Sequence, residues 1–302
     1  MRKLVVLLLL SSYSVISYSQ YLWDFGAHAG ASNYLGEMGG KANTRRDFIA
    51  DMKLSKTQFA VGGFARYKFN PIVSAKLGLD WNRIAGADYL STNPGRAGRN
   101  LSFRDDIIDL ELTGQFFFVD VPDLGRTYRY RNDFRMYAFV GVGAFYYNPK
   151  TYYNGSWVAL RPLQTEGKKY SAVSASIPLG IGMYFTIDKK HRIGWEFNWR
   201  TTFTDYLDDV STVYADPADL TSAEAIALAN RRGELGNASG IPNKDNYLPG
   251  MKRGDPSHND SYMTTSINYS YIIRGRSSFY RSKYGSIFKH KKYKKRKIRA
   301  KF

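Results

Sequence analysis

The sequence of 302 residues contains no cysteine. This absence excludes disulfide cross-links, thiolate metal sites and a lipid anchor on a cysteine behind a leader peptide. Histidine is scarce as well, with four residues in the whole chain. The folded protein must therefore be held together by hydrogen bonds, ion pairs and packing alone.

The sequence also lacks an apolar run long enough for a membrane-spanning helix, which needs about 20 residues. The apolar block 4–10 follows a basic start and gives way to small polar residues, which predicts a secretory signal peptide, 1–19, cleaved after Ser19. The longest later apolar run, 138–147, matches the ~9–11 residues of a tilted spanning β-strand. The sequence is thus compatible with a protein that crosses the membrane with β-strands.

Aromatic residues and glycine are abundant, with 24 Tyr, 18 Phe, 5 Trp and 27 Gly. This mixture is typical of chains built from short strands. Eight segments alternate apolar with polar, charged or glycine residues; they begin near residues 21, 58, 73, 108, 137, 177, 193 and 264. In the fifth segment both sides are largely apolar, so its facing stays open. The predicted fold is all-β, with about eight antiparallel strands.

A soluble β-sandwich alternates too, so a second kind of evidence must decide which face meets lipid. Trp and Tyr recur near the ends of the apolar stripes, as in the aromatic girdles of membrane barrels. These residues are Tyr21, Tyr67, Trp81, Tyr146, Trp199 and Tyr271. Tight connections at 70–72 and 188–191 alternate with long ones at 31–56, 148–169 and 205–260. Short turns at one end and long loops at the other predict a transmembrane β-barrel.

We therefore expect an OmpA-like barrel over residues 20–274 in the outer membrane, in contact with its lipid. An even strand count places both chain ends on the short-turn side, the periplasm, and the long loops outside the cell. The last loop is predicted to include a helix, 222–232, introduced by Thr221 with Glu224 completing a capping box.

Charged residues of both signs lie on the polar faces of the predicted strands. They are Asp24, Asp80, Asp109, Glu111 and Glu196 against Arg66, Lys68, Lys76 and Arg200. An eight-stranded barrel is just wide enough for side chains to fill its interior, so these groups are expected to pair across the lumen. A plugged structural barrel is favoured over an aqueous pore.

The loops offer few residues for catalysis. His258 lies near several acids, and Asp208 and Asp209 follow the seventh strand, so an Asp/His hydrolytic site at the rim is one alternative. Loops are rich in such residues in any case, and the favoured interpretation is a protein without enzymatic activity, cofactor, metal or small-molecule substrate. The tripeptide 253–255, Arg-Gly-Asp, matches an adhesive motif, but three residues match by chance too easily and are interpreted as loop sequence.

Most of the net charge of +18 is concentrated at the C-terminus. From Arg274 onward there are thirteen Lys or Arg and no Asp or Glu. The densest part comprises Lys289, Lys291, Lys292, Lys294, Lys295, Arg296, Lys297, Arg299 and Lys301. The predicted signal peptide directs the chain to a compartment without nucleic acid, so nucleic acid is not an expected partner. Residues 275–302 are thus a basic periplasmic tail, either solvated filler or a docking segment for anionic headgroups or an acidic partner.

Four stretches carry a resemblance to a known family. They are 30–40 (GASNYLGEMGG), 141–149 (GVGAFYYNP), 177–182 (IPLGIG) and 202–211 (TFTDYLDDVS). In order and spacing they resemble the PorG-like barrels of the Bacteroidetes type IX secretion system. The resemblance implies a non-enzymatic outer-membrane component, also linked to gliding motility. Its implied partners are a periplasmic ring lipoprotein and that lipoprotein's ring partner, PorK and PorN, or GldK and GldN in gliding bacteria.

The resemblance brings no catalytic residues, and the long basic tail departs from the family's compact pattern. It leaves open whether the ring would be contacted by the turns, the tail or both. An OmpA-like structural barrel or an adhesin with no secretion role is the remaining alternative.

Overall fold

The structure, a computed structural model, describes residues 21–38, 52–121, 133–188, 190–236 and 240–274. Within them the strands are β1 (Tyr21–Leu35), β2 (Gln58–Lys68), β3 (Val73–Ala87), β4 (Ser102–Val121), β5 (Asp133–Tyr146), β6 (Lys150–Tyr153), β7 (Ser156–Ala159), β8 (Val173–Ile187), β9 (His191–Thr202) and β10 (Ser261–Arg274). Eight of them, β1 to β5 and β8 to β10, form an antiparallel sheet that closes where β3 pairs with β4. The predicted eight-stranded barrel is confirmed. Strands β6 and β7 form a hairpin beside the start of β4.

Connections at the two ends of the barrel differ in length. Turns 69–72 and 188–190 join strands at one end, and loops 36–57, 88–101, 147–172 and 203–260 join them at the other. We call the described parts of these four loops the cap. Because Trp23 pairs with Ile273, β1 begins and β10 ends at the short-turn end. The predicted signal peptide, the connection 122–132 and the basic tail lie outside the described residues.

Alternation along the barrel strands turns apolar side chains outward and polar ones inward. Leu77 and Leu112, which pair across β3 and β4, are 50 % and 52 % exposed, whereas Asp80 is 2 % exposed. On β5, whose facing the sequence leaves open, Tyr137 points inward and Val142 outward. An apolar exterior around a polar interior is the reverse of a soluble barrel and identifies a membrane-spanning one.

The apolar belt has visible limits along the strands. Its outward residues extend over 73–81 on β3 and 108–118 on β4, which matches the ~9–11 residues of a tilted spanning strand. The next outward pair toward the cap is polar, with Nε of Arg83 2.7 Å from Oδ1 of Asp106. Both strands continue beyond this pair, so the barrel wall rises past the membrane on the cap side.

Aromatic side chains mark both edges of the belt. Trp81, Ile108 and Tyr146 are in register on three adjacent strands just below the Arg83 level. Near the short-turn end, the rings of Trp23 and Tyr67 lie 4.9 Å apart. Such rows hold a barrel at the depth where its rings meet the headgroups.

The helices among the described residues are short. They are α1 (Pro94–Arg99) and α2 (Ala223–Ala229), with 3₁₀ turns at Leu54–Lys56, Asp88–Leu90, Arg161–Leu163, Pro217–Asp219, Arg232–Leu235 and Lys244–Tyr247. Across the described ranges, no helix has the length and apolar character needed to cross a membrane.

Helix α2 corrects the predicted 222–232 helix at both ends. Ser222, not Thr221, is the N-cap, because its hydroxyl accepts the backbone N–H of Ala225 at 3.0 Å. The predicted capping box with Glu224 is therefore absent. The helix ends at Ala229 because the following residue, Asn230, has extended backbone angles and donates its side-chain amide to the cap.

Candidate functional site

The predicted charged residues of the lumen are arranged on three levels. At the level nearest the short turns, Asp24 of β1 accepts from Arg66 of β2 at 3.3 Å and also from Arg192 of β9. The hydroxyl of Ser270 lies 3.4 Å from the same carboxylate. One buried acid is thus held by two guanidinium groups from different strands.

The middle level centres on Lys76 of β3. Its Nζ lies 2.5 Å from Oε1 of Glu196 and 3.4 Å from Oε1 of Glu111, on β9 and β4. The hydroxyl of Tyr137 donates to the other oxygen of Glu196 at 2.7 Å. Because the ammonium group is matched by two carboxylates from opposite walls, this level ties distant strands together.

At the level nearest the cap, Arg200 of β9 lies among three carboxylates. Its guanidinium is 2.7 Å from Asp80, 2.6 Å from Asp109 and 3.2 Å from Glu111. His28 adds a ring nitrogen 3.3 Å from Asp80. The oxygens of these acids are close enough together to hold a metal ion. The arginine already supplies the positive charge there, so the cluster has an internal cation.

Two residues of the lumen depart from the expected pattern. Lys68 was expected in an ion pair, but among the described residues it forms none, and its Nζ lies 5.7 Å from the centre of the Phe117 ring, a cation–π contact. Arg192 was missed at the sequence level although it lies four residues before Glu196 on the inward face of β9. The same period of two that identified Glu196 and Arg200 could have identified it.

Water is excluded from these paired groups. The exposed fractions of Arg66, Lys76 and Arg200 are 2 %, 2 % and 1 %. Buried charges are tolerated only when they are paired, as they are at all three levels, although single atoms such as Oδ1 of Asp24 and Nε of Arg66 have no hydrogen-bond partner among the described residues. The chemical effect of these ion pairs is to hold the barrel wall together across its interior.

Above the upper level, the cap encloses an apolar cluster that seals the lumen from the loop side. It consists of Tyr34, Met38, Ile84, Leu101, Phe103, Ile107, Phe145, Tyr147, Leu207, Val210 and Tyr262. The cluster draws on the ends of β1, β3, β4, β5 and β10 and on all four loops of the cap. This cluster is a second, small hydrophobic core above the barrel lumen.

Two buried arginines connect the loops of the cap. Arg99 forms a bidentate pair with Asp88 at 2.7 and 2.9 Å and donates to the backbone oxygen of Arg253 at 2.5 Å. Arg253 in turn donates to Glu166 at 2.9 Å. Glu166 also accepts the backbone N–H of Ser211 at 2.9 Å. Three of the four loops are thereby joined through one chain of charge-assisted hydrogen bonds.

A cluster of carboxyl groups lies beneath these arginines. The hydroxyl of Tyr34 lies 2.7 Å from Asp208 and 2.6 Å from Asp260, which face it from two parts of the last loop. Burial and the carboxylate of Asp260 raise the pKa of Asp208 well above its usual range. Burial, reinforced by Asp260 and Asp208, raises the pKa of Asp205 to about 10. The cluster therefore carries protons at neutral pH.

The cap also contains a cavity of about 620 Å³. Its wall includes Arg96 and Arg99 of α1, Tyr214, Tyr247, residues 252–255 and the carboxylate of Glu37. This volume lies within the ~300–1,000 Å³ typical of small-molecule sites. No periodic signal in the sequence pointed to these residues, because they come from loops.

The rim residues considered as a hydrolytic site have separate partners. Asp208 is buried under Tyr34, whereas His258 is on the surface with its Nδ1 2.9 Å from Ser257 and 3.4 Å from Asp255. A catalytic triad needs the serine and the acid on different ring nitrogens, and here both face Nδ1. This geometry argues against the rim hydrolase.

The Arg-Gly-Asp tripeptide at 253–255 is not displayed as an adhesive motif would be. The side chain of Arg253 is 2 % exposed and is engaged by Glu166. Its interpretation as loop sequence agrees with the role of this arginine inside the cap.

Several solved outer-membrane barrels have a similar general fold. OprG of Pseudomonas aeruginosa is 9 % identical, with 85 % of this chain and 99 % of that chain covered and a TM-score of 0.37. Ail of Yersinia pestis is 10 % identical, with 83 % and 99 % covered and a TM-score of 0.36. The N-terminal barrel of Pseudomonas aeruginosa OprF is 8 % identical, with 83 % and 97 % covered and a TM-score of 0.33.

None of the curated proteins compared with the sequence matches it. A family described as a domain of unknown function, DUF6089, matches residues 1–221, which include β1 to β9 and the first part of the last loop. The chain belongs to this DUF6089 family.

Proposed function

We propose that this protein is a structural outer-membrane component of the type IX secretion system and of the associated gliding machinery. In this role it anchors the periplasmic ring of PorK and PorN, or GldK and GldN, beneath the outer membrane. It acts without enzymatic activity or a cofactor. The barrel provides the membrane anchor, and both of its chain ends point into the periplasm.

One structural observation carries the proposal: three of the four stretches behind the family resemblance meet in the cap. Tyr34 of the first stretch hydrogen-bonds Asp208 of the last. Tyr147 of the second lies 3.0 Å from the hydroxyl of Thr204, again in the last. Residues far apart in sequence thus support a common folded unit, as expected if the resemblance reflects shared structure and not four chance matches.

The packed lumen supports an anchoring role over a transport role. Lys76 and Arg200 are ion-paired with carboxylates in the interior, so a solute crossing the barrel would have to break both ion-pair levels. Breaking one buried pair typically costs ~3–5 kcal/mol. A protein with such an interior acts through its surfaces and not as a channel.

In this proposal, the ring is contacted by the short-turn end of the barrel and by the basic tail that follows Arg274. From Arg274 onward, thirteen basic residues without an acid attract anionic partners over roughly the 8 Å Debye length of physiological salt. Anionic headgroups attract basic segments in the same way, so lipid and an acidic ring protein would compete for this charge.

Affinity purification of the full chain from detergent-solubilised membranes of its own organism tests the role. We expect the ring lipoprotein and its ring partner to be recovered together with the barrel. A second tagged outer-membrane barrel of similar size serves as the control. Recovery of neither ring protein would leave a structural barrel or adhesin without a secretion role as the better explanation.

The contribution of the tail is tested with two matched variants. In one, the nine Lys and Arg of 289–301 are replaced by Gln; in the other, Lys and Arg are exchanged so that the charge is kept. If charge drives docking, only the Gln variant should lose ring proteins, while both remain heat-modifiable on gels. Equal recovery with both variants would assign ring contact to the turns.

A further inference from the structure

Two cations face each other on the outer wall of the barrel, beyond the apolar belt on the cap side. Arg104 of β4 is on the same outward face as Ile108, and Lys150 of the β6–β7 hairpin is directly opposite Arg104. Like charges placed directly opposite each other destabilise a sheet. An anionic group bound between them would remove this repulsion.

The acids beside this pair in the sequence do not neutralise it. Asp106 faces outward as well, but its Oδ1 lies 2.7 Å from Nε of Arg83. Asp105 faces inward and is buried, and although Lys150 acts on it electrostatically, neither cation forms an ion pair among the described residues. Nε of Arg104 is closed to solvent, whereas its Nη atoms and Nζ of Lys150 are open to it. Both cations can therefore donate to a group from outside.

An aromatic ring holds the arginine in position. Cζ of Arg104 lies 3.8 Å from the ring centre of Trp157, which is paired with Tyr152 across the hairpin. A guanidinium over a ring uses its flat face for this contact and keeps the N–H groups at its edge for an oxyanion. Trp157 and Tyr152 are 45 % and 53 % exposed, so apolar ring surface is left beside the two cations.

The pair lies further from the belt than a phospholipid headgroup extends. Arg104 is four residues beyond Ile108, which is in the row with Trp81 and Tyr146 at the edge of the belt. At ~3.3 Å per residue and a tilt of ~40°, four residues correspond to about 10 Å along the membrane normal. The polar layer of a bilayer is only about 5–7 Å thick on each side. An anion at this height belongs to a longer headgroup.

We infer that Arg104, Lys150 and Trp157 form a binding site for a phosphorylated glycolipid of the membrane leaflet on the cap side. Phosphate oxygens accept hydrogen bonds from the two cations, and the sugar that carries the phosphate packs on Trp157. In the proposed orientation, with both chain ends in the periplasm, this is the outer leaflet, where lipopolysaccharide provides such headgroups. The site is at the opposite end of the barrel from the proposed ring contact, so each can be tested without the other.

Retention of lipids on the immobilised full-length chain in detergent micelles tests this inference. The chain carries Gln in place of the nine basic residues of 289–301, because a basic tail would itself attract anionic lipids. The probes are rough-type lipopolysaccharide, the same lipopolysaccharide dephosphorylated with hydrofluoric acid, and phosphatidylglycerol. We expect intact lipopolysaccharide to be retained at least fivefold more than either of the other two.

Three outcomes would overturn the inference. Equal retention of the dephosphorylated form would exclude recognition of phosphate, and equal retention of phosphatidylglycerol would exclude recognition of the longer headgroup. Complete displacement of lipopolysaccharide by about 10 mM glucosamine 6-phosphate would assign the site to a soluble sugar phosphate instead of a lipid.

Two matched double variants locate the site. Arg104→Gln with Lys150→Gln should reduce retention of lipopolysaccharide at least threefold. Lys244→Gln with Lys252→Gln removes the same charge from exposed positions of the last loop and should leave retention unchanged. Arg104→Lys keeps the charge but loses the planar fork, and should preserve part of the retention. Equal retention by the two double variants, with both still heat-modifiable on gels, would exclude this site.

Discussion

The hydroxyl of Tyr34 lies 2.7 Å from Oδ2 of Asp208 and joins the end of β1 to a loop 174 positions further along the chain. The same hydroxyl lies 2.6 Å from Oδ1 of Asp260. A phenol has one proton to donate, so two such short contacts require a proton on one of the carboxyl groups. The junction between barrel and cap is therefore a shared hydrogen-bonded unit.

Removing this hydroxyl should loosen the cap while leaving the barrel intact. In Tyr34→Phe both carboxyl groups lose a partner in a buried site, at a cost of about 1–3 kcal/mol for each unsatisfied group. We expect faster cleavage of the last loop in limited proteolysis, with unchanged heat-modifiable mobility on gels. Tyr152→Phe, on an exposed hairpin residue, is the control and should be cleaved at the wild-type rate. Identical cleavage of all three proteins would show that the apolar cluster alone holds the cap.

The buried acids make the cap less stable as the pH rises. The pKa of Asp205 is raised to about 10 by burial and by two neighbouring carboxyl groups, and that of Asp209 to about 6 by burial against the opposing effect of Arg253. A raised pKa means that the folded state prefers the proton. Its stabilising contribution is therefore complete below the unfolded value near 4 and is lost as pH rises through the folded value.

Near-ultraviolet circular dichroism of the aromatic cluster can follow this loss. We expect the thermal midpoint of the cap signal to fall between about pH 4 and pH 6 as Asp209 ionises, and further toward pH 10 as Asp205 does. Asp205→Asn should reduce the later part, because an amide cannot ionise, while the part due to the raised pKa of Asp208 remains. Asp219→Asn, at an exposed position, should retain the wild-type profile. A midpoint that does not change from pH 6 to 10 in the wild type contradicts this assignment.

The barrel could be predicted from the sequence because its signal is local. Alternation with a period of two places Asp80 and Lys76 inside and Leu77 outside without knowledge of any partner strand. The identity of the partners could not be predicted in the same way. Lys76 finds Glu196 at a separation of 120 positions, and this match depends on the strand order and stagger of the closed sheet.

The cap could not be predicted, because its contacts follow no period. Arg99, the last residue of α1, donates to the backbone of Arg253 in the last loop across 154 positions. Even for the helix in the last loop the predicted N-cap was wrong. Thr221 and Ser222 are both good capping residues, and only the hydrogen bond from the Ala225 N–H to the Ser222 hydroxyl decides between them. The cap cavity, formed entirely by residues of these loops, had no signal in the sequence.

Breaking the middle level of the lumen should destabilise the whole barrel. Lys76→Met removes the cation from Glu196 and Glu111, which remain buried, and such a loss typically costs about 3–5 kcal/mol. The urea midpoint of the gel-shift transition should fall accordingly. Adding Glu196→Gln to Lys76→Met should recover part of the loss, because one uncompensated charge is removed. Lys168→Met, on an exposed loop residue, controls for the loss of a lysine. Equal midpoints for Lys76→Met and Lys168→Met would mean that water enters the lumen.

The outward face of the barrel, unlike its charged interior, must stay apolar. Leu112 of β4 lies near the middle of the apolar belt, 52 % exposed on the outer surface. A charge at the bilayer midplane costs a barrel about 2–4 kcal/mol, falling to about 0–1 kcal/mol near the interfaces. Leu112→Arg should therefore fold less stably in lipid bilayers, with a lower urea midpoint than the wild type.

Leu54→Arg provides the comparison, because Leu54 is 74 % exposed but belongs to a loop beyond the belt. Both variants add the same charge and remove the same exposed leucine. If the belt lies in lipid, only Leu112→Arg should be destabilised in bilayers, and the difference should shrink in detergent micelles, which adapt their thickness around the charge. Equal stability of the two variants in bilayers would mean that the apolar exterior is covered by protein instead of lipid.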